Sequence, residues 1–201
     1  MIYSCIKELI VLKKENRINF ISSIVLFAFY IVWILVDMLM GKSISIDSVF
    51  LLLGANVLYF FVLRSFDPIY YLGILIFTFL AQFLGAYLNF YTHFPLYDLI
   101  LHTSSGVLLA LLAHYLFNRF FLKPGEQVPL KVTLLVCLLF AMASAAAWEI
   151  WEFSGDMLFG RQAQGNLIDT MTDIIGGTCG GLVGTLIVWL MARKKAKKSI
   201  S

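Results

Sequence analysis

The segment Asp169–Met191, DTMTDIIGGTCGGLVGTLIVWLM, decides the fold. After Asp173 it contains no charged residue, and a helix of about 20 apolar residues is long enough to cross a bilayer. Gly176, Gly180 and Gly184 recur at every fourth position, so they lie on one face of that helix. Such a ridge of small residues lets another helix backbone approach closely. The segment therefore predicts a transmembrane helix that packs tightly against its neighbours.

Five further apolar runs precede this segment. The composition is 61% apolar and 13% charged, whereas soluble domains are about half apolar and a quarter charged. We therefore predict an all-α polytopic membrane protein, a bundle of six transmembrane helices. The other five spans are predicted at Phe20–Met40, Val49–Leu63, Ile69–Leu88, Tyr97–Phe117 and Val132–Phe153.

The whole chain, residues 1–201, is predicted to be one integral-membrane domain. Residues 1–18 mix apolar and charged side chains, which is typical of a short amphipathic helix lying on the membrane surface. The helix bundle follows over residues 19–191, and residues 192–201 form a basic tail.

Lysine and arginine residues divide unevenly between the two sides of such a bundle. Thirteen of the fifteen lie in the termini and loops on one side, while Lys42 and Arg161 lie on the other. Because cytoplasmic loops hold the excess of basic residues, we expect both termini in the cytoplasm and a multi-pass protein of the cell membrane. The basic tail is then expected to contact anionic membrane lipids rather than nucleic acid.

Three of the spans have a pair of polar residues near the same end. The members of each pair are three or four residues apart, so each pair lies on one helix face. With both termini in the cytoplasm, the pairs reach roughly 6–8 Å below the extracytoplasmic surface. Ionisable groups are costly inside a membrane and therefore indicate a functional site. The pairs are Asp98 with His102, Glu149 with Glu152, and Asp169 with Asp173.

These residues predict a site for a divalent metal ion. Carboxylates gathered in a partly desolvated layer repel one another unless they are protonated or a cation compensates them, and helix bundles build metal sites from such pairs. An oxygen-rich set with one imidazole favours Mg²⁺, Mn²⁺ or Fe, and zinc stays open. A structural polar network is the alternative, and capping is a further one for Asp98 and Asp169, which begin their helices. The candidate metal ligands are Asp98, His102, Asp169 and Asp173.

Glu149 and Glu152 are the candidate catalytic residues, either of them as a general base. The segment Ser154–Asn166, SGDMLFGRQAQGN, is predicted to be a polar loop beside them. Within it, Arg161 either holds an anionic group of a substrate or forms an ion pair with Asp156 or a neighbouring carboxylate. The candidate substrate-binding residues are Asp156, Arg161 and Gln162.

Three motifs resemble those of the YjdF-like family of uncharacterised bacterial inner-membrane proteins. They are DLILHTSSG (Asp98–Gly106), WEIWEF (Trp148–Phe153) and QGNLIDTMTDIIGG (Gln164–Gly177). A looser likeness connects the chain to VanZ-like proteins, some of which are linked to glycopeptide resistance. The YjdF-like resemblance implies six spans and marks the three polar pairs as the polar set of the family, but it implies no activity.

The leading functional hypothesis is a metal-dependent hydrolase or transferase that acts at the outer leaflet on a lipid-linked anionic group. An ion-coupled transporter or permease is the second hypothesis, although the apolar inner halves of the last three spans offer no continuous path for an ion. A non-catalytic accessory protein that binds a partner through the acidic groups is the third.

Overall fold

The computed structural model describes residues 2–44, 46–123, 126, 128–160 and 163–198, with side chains from residue 17 onward. Regular structure within these residues is helical throughout, which confirms the all-α prediction. Two π-helical segments, Phe79–Tyr87 and Phe117–Phe121, extend α3 and α5. The helices are α1 (Ile2–Leu39), α2 (Ile46–Leu63), α3 (Pro68–Thr78), α4 (Phe90–His93), α5 (Tyr97–Leu116), α6 (Leu130–Phe159) and α7 (Leu167–Lys198).

The prediction of six membrane-spanning helices is confirmed. In the described part of the chain, six helices are long and apolar enough to cross a membrane. At the N-terminus the structure differs from the prediction, because residues 2–16 continue without a break into the first span as part of α1. The short helix predicted for residues 1–18 is therefore not a separate element. The cytoplasmic location of both termini stays a prediction.

The end of α6 also differs from the prediction. The sequence indicated a span that ends at Phe153 and a loop that begins at Ser154, but the helix continues to Phe159. Gly160 then ends it with φ of 64°, a left-handed backbone conformation that glycine adopts without steric cost. The polar loop between the last two spans is therefore shorter than the sequence suggested.

Contacts divide the chain into two compact units, Met1–His93 and Phe94–Ser201. In the first unit α1 packs against α2 and α3, around a buried cluster that contains Tyr30, Leu52 and Phe83. The prediction of one domain over the whole chain stays a prediction.

Asp37, near the end of α1, is a buried carboxylate whose charge is compensated inside the first unit. It accepts hydrogen bonds from the Lys42 ammonium at 2.7 Å and from the Tyr87 hydroxyl at 2.9 Å. A buried ionised group needs partners of this kind. The first unit therefore satisfies its buried acid with its own side chains.

In the second unit α5, α6 and α7 pack against one another in all three pairs. The contact between α5 and α7 is made backbone to backbone, because a Cβ atom at Gly106 would overlap the carbonyl oxygen of Gly177. A Cβ atom at Gly180 would likewise overlap the carbonyl oxygen of Thr103. The glycine ridge predicted from the sequence is therefore the surface on which α5 lies.

The contact between α6 and α7 is nearly as close. Cβ atoms added at Gly177 and Gly181 would lie 2.7 Å from the Cβ atoms of Ala145 and Ala141, respectively. The alanines of α6 thus match the glycines of α7, and the three helices form a tightly packed group.

We predict that Gly180→Ala destabilises the protein by about 1–3 kcal/mol, because overpacking of a close contact costs this much and the opposing atom is backbone, which cannot rotate away. Thermal unfolding of the detergent-solubilised protein measures the effect. Gly54→Ala is the matched control, since a Cβ atom there would meet only the Phe50 ring, at 3.8 Å. Equal melting temperatures for the two variants would contradict the backbone contact.

Candidate functional site

Four ionisable side chains from α5, α6 and α7 converge near one end of the second unit. Nε2 of His102 lies 3.5 Å from Oδ1 of Asp98, 3.9 Å from Oε1 of Glu149 and 3.9 Å from Oδ2 of Asp173. One potential ligand atom from each of Asp98, His102 and Asp173 lies within 4.8 Å of the others. All three polar pairs predicted from the sequence therefore contribute to one cluster.

The glycine contact explains why His102 and Asp173 meet. Gly106 lies one helical turn after His102, and Gly177 lies one turn after Asp173. Because Gly106 and Gly177 are in backbone contact, the residues one turn earlier face each other across the same narrow gap. Helix spacing brings Asp98 to the same imidazole, since Asp98 precedes His102 by four residues on α5.

Three side chains of the cluster are buried, and the fourth, Asp98, is accessible. The side chains of His102 and Asp173 are 10% and 5% exposed, whereas that of Asp98 is 43% exposed. Glu149 is 4% exposed, and its Oε1 atom has no hydrogen-bond partner among the described residues. A buried carboxylate oxygen without a partner is costly, so the cluster contains an acceptor that no residue in the described part of the chain satisfies.

Glu152 lies at the edge of this cluster and is held by a tryptophan. The Trp148 indole Nε1 donates a hydrogen bond to Oε1 of Glu152 over 2.9 Å, and Glu152 is half-buried. It interacts electrostatically with Glu149, Asp98 and His102. The role of Trp148 was missed at the sequence level, although its position four residues before Glu152 on the same helix was a usable signal.

Capping does not account for the two acids at the starts of α5 and α7. Asn166 caps α7, since its Oδ1 accepts the backbone N–H groups of Ile168 at 2.8 Å and Asp169 at 3.2 Å. For α5 the capping position is Leu96, which makes no side-chain capping hydrogen bond. Neither acid therefore makes the capping hydrogen bond, although both lie in the first turn of their helix, where the helix dipole favours a carboxylate.

Asp169 lies in the first turn of α7 with its carboxylate against the backbone of Gly165, where a Cβ atom would overlap it. It is half-buried and interacts electrostatically with both Glu149 and Asp173. Asp169 is thus the remaining member of the three pairs, and it lies beside the cluster that three carboxylates form around the His102 imidazole.

The structure describes one of the three predicted substrate-binding residues, Asp156, and its carboxylate is already hydrogen-bonded to the backbone. Asp156 belongs to α6, and its carboxylate accepts backbone N–H bonds from Ala163 at 3.0 Å and Gln164 at 2.9 Å. These bonds give Asp156 a structural role in folding the connection to α7. Arg161 and Gln162 lie outside the described residues, so their predicted roles stay predictions.

The donor set suits a hard divalent cation. Carboxylate oxygens with a single imidazole are typical of Mg²⁺, Mn²⁺ and Fe²⁺ sites. The ligand atoms of Asp98, His102 and Asp173 are within 4.8 Å of one another, and atoms bound to one ion at about 2.0–2.2 Å are separated by up to about 4.4 Å. Small side-chain movements would therefore give them a common centre.

Comparison with known proteins gives a family but no activity. The model of a family described as "Predicted membrane protein (DUF2238)" matches residues 18–194. An uncharacterized protein of Thermotoga maritima is 32% identical over 122 residues, which cover 59% of this chain and 59% of the relative. No solved structure matches the chain. The family is consistent with the resemblance to YjdF-like membrane proteins, whereas the likeness to VanZ-like proteins stays a prediction.

We predict that Asp173→Asn is more stable than wild type without a divalent cation and less stable than wild type when the cation is bound. In the presence of a chelator the variant should have a higher melting temperature than wild type, because the substitution removes one of several buried carboxylates that repel one another. With Mn²⁺ at about 100 times its dissociation constant, wild type should gain about 2.7 kcal/mol and the variant much less.

Thermal unfolding with EDTA and with MnCl₂ measures both effects. Asp47→Asn serves as the control, since Asp47 is an exposed acid in the first turn of α2. The prediction fails when Mn²⁺ raises the melting temperature of wild type and of Asp173→Asn equally.

Proposed function

The chain belongs to the DUF2238 family of predicted membrane proteins, and we propose that it is a metal-dependent hydrolase or transferase acting on a lipid-linked anionic group. The observation that supports this most directly is the convergence of Asp98, His102 and Asp173 beside the unpartnered oxygen of Glu149. A buried, oxygen-rich cluster with an unsatisfied acceptor fits a bound divalent cation better than a self-sufficient polar network.

The proposed ligands are Asp98, His102, Asp173 and Glu149. Glu149 suits this role better than that of general base, because Oε1 faces Nε2 of His102 at 3.9 Å and the residue is almost fully buried. A divalent cation held there would polarise a phosphoryl or carbonyl oxygen of the substrate.

Glu152 is the proposed general base. It is more accessible than Glu149, and the bond from Trp148 fixes one carboxylate oxygen while the other is left to contact a water molecule. In hydrolysis of a phosphate ester, Glu152 would accept a proton from water as the water oxygen bonds to phosphorus. The bond from that phosphorus to the leaving-group oxygen breaks, and that oxygen keeps the electron pair and takes up a proton from solvent. The leaving group is the lipid alcohol for a phosphate monoester such as phosphatidic acid and the lipid monophosphate for a lipid diphosphate, so both substrates would release inorganic phosphate.

The location of the cluster supports a lipid-linked substrate. Its residues belong to helices that are long and apolar enough to cross a membrane, and they lie near the starts of α5 and α7 and toward the end of α6. Lipid headgroups occupy this depth of a bilayer. With both termini in the cytoplasm, as the basic residues predict, the cluster would face the outer leaflet of the cell membrane, and Arg161 could hold the anionic group.

The packing beneath the cluster argues against the alternative of an ion-coupled transporter. A transport path needs polar groups or space that continue across the membrane. One turn below His102 and Asp173, the backbones of α5 and α7 are in contact at Gly106 and Gly177, so no path passes between these two helices at that level. A non-catalytic accessory role would retain the cation site without turnover.

We predict that His102→Ala abolishes both bound metal and activity, whereas Glu152→Gln retains metal and lowers turnover by about 10²–10⁴-fold, the usual contribution of a general base. Phosphate release from a polyprenyl diphosphate in detergent micelles measures turnover, and elemental analysis of the purified protein measures metal. The control is Asp47→Asn, which should match wild type in both assays.

Metal-loaded wild type that releases no phosphate from this probe or from phosphatidic acid would leave the accessory role as the better account. Equal metal content in wild type and His102→Ala would exclude the metal site itself.

A further inference from the structure

A cavity of about 250 Å³ lies between α1 and α2 in the first unit. Its rim is apolar and exposed, at Ile24 of α1 and at Val57 and Phe61 of α2. Its deep end is polar and buried, at Ser23 of α1 and Asn56 of α2. Because both helices are long and apolar enough to cross a membrane, an exposed apolar rim faces lipid, and the cavity opens toward the bilayer.

The deep end of the cavity contains a hydrogen-bond donor without an acceptor. Asn56 is 3% exposed, and its Nδ2 atom has no partner among the described residues. The hydroxyl of Ser23, by contrast, is hydrogen-bonded to the hydroxyl of Tyr71. A buried water makes about three hydrogen bonds, which these mostly apolar walls do not offer. An unpaired buried amide is costly, so the cavity suits an apolar molecule that brings one acceptor.

The depth of Asn56 restricts what that molecule can be. Asn56 lies seven residues before Leu63, the end of α2, which is about 10 Å along the helix axis. Arg64 follows, and its charge belongs in the headgroup region rather than in hydrocarbon. This region is about 5–8 Å thick on each side of the membrane. Asn56 therefore lies deeper than the ester carbonyls of phospholipids and faces the hydrocarbon layer.

Aromatic rings form much of the wall. They belong to Phe20 and Phe27 of α1 and to Phe60 and Phe61 of α2, and the ring centroids of Phe20 and Phe60 are 5.6 Å apart at 56°. Such rings pack well against a further flat ring, offset or edge to face. An apolar cavity of about 150 Å³ already accommodates benzene, so 250 Å³ leaves room for a six-membered ring with substituents.

We propose that this cavity binds the ring of an isoprenoid quinone, with Nδ2 of Asn56 donating a hydrogen bond to one ring carbonyl. A quinone is neutral, planar and membrane-soluble, and its acceptor oxygens are attached to the ring itself. The isoprenoid chain would leave past Ile24 and Phe61 into the bilayer. A phospholipid acyl chain would bring no acceptor to this depth. The proposal does not depend on the metal site, because every residue it uses belongs to the first unit.

Decylubiquinone, added to the detergent-solubilised full-length protein, tests the proposal. It should raise the melting temperature of wild type, because a ligand stabilises the folded state that binds it. The infrared band of one quinone carbonyl should also move to lower wavenumber, since a hydrogen bond weakens the C=O bond. Asn56→Leu, which is similar in size, should lose both effects. Gln82→Leu is the matched control, because it removes another buried amide of the first unit, outside the cavity, and should keep both.

Ala28→Phe guards against a folding defect in Asn56→Leu. Ala28 lines the cavity at an exposed position, so a phenyl ring there should fill the space and abolish binding while Asn56 stays in place. Equal stabilisation of wild type, Asn56→Leu and Ala28→Phe by decylubiquinone would overturn the proposal. Equal stabilisation of wild type by decylbenzene, which has no carbonyl, would identify the occupant as an apolar chain instead. A wild-type dimer that Ala28→Phe converts to a monomer would identify it as a second copy.

Discussion

The backbone contact between α5 and α7 is the constraint on which the second unit depends. Gly106 and Gly180 face carbonyl oxygens of the opposite helix at distances that no side chain would permit. In a membrane there is little hydrophobic gain when helices associate, so close van der Waals packing of this kind holds them together. The same contact determines where His102 and Asp173 lie, because both are one turn from the glycines that touch. Packing and site are thus consequences of a single arrangement of small residues.

That arrangement brings the carboxylates of Glu149 and Asp173 together in a buried, poorly solvated part of the second unit. Asp37 in the first unit shows how a buried acid is normally accommodated, since Lys42 and Tyr87 both donate to it. Glu149 and Asp173 have no such donors from lysine or arginine in the described residues and share one imidazole instead. The cost of gathering them falls when a cation enters. The difference between the two buried acids is therefore the physical reason to treat the second group as a binding site.

Much of the fold followed from composition and helical periodicity. The six spans were predictable because apolar length is a strong signal for a membrane helix, and the three polar pairs because spacing fixes the helix face. The extension of α6 to Phe159 was not predictable in the same way. Ser154 and Asp156 look like loop residues in the sequence, yet the helix continues because Asp156 bonds the backbone beyond its end.

Residue roles within the site depended on tertiary contacts that a sequence does not contain. The sequence left capping open as an alternative role for Asp169, but Asn166 makes the capping hydrogen bonds of α7. Glu149 and Glu152 are equivalent as a sequence pair, and only their burial and the Trp148 bond distinguish them. Spacing thus identified the members of the site, whereas packing was needed to propose what each one does.

The central claim is that these carboxylates and the imidazole hold a divalent cation. Anomalous X-ray diffraction from crystals grown with Mn²⁺ tests it most directly. The account predicts an anomalous difference peak within bonding distance of Asp98, His102 and Asp173. Strong peaks elsewhere in well-ordered crystals, with none between these three residues, would contradict it.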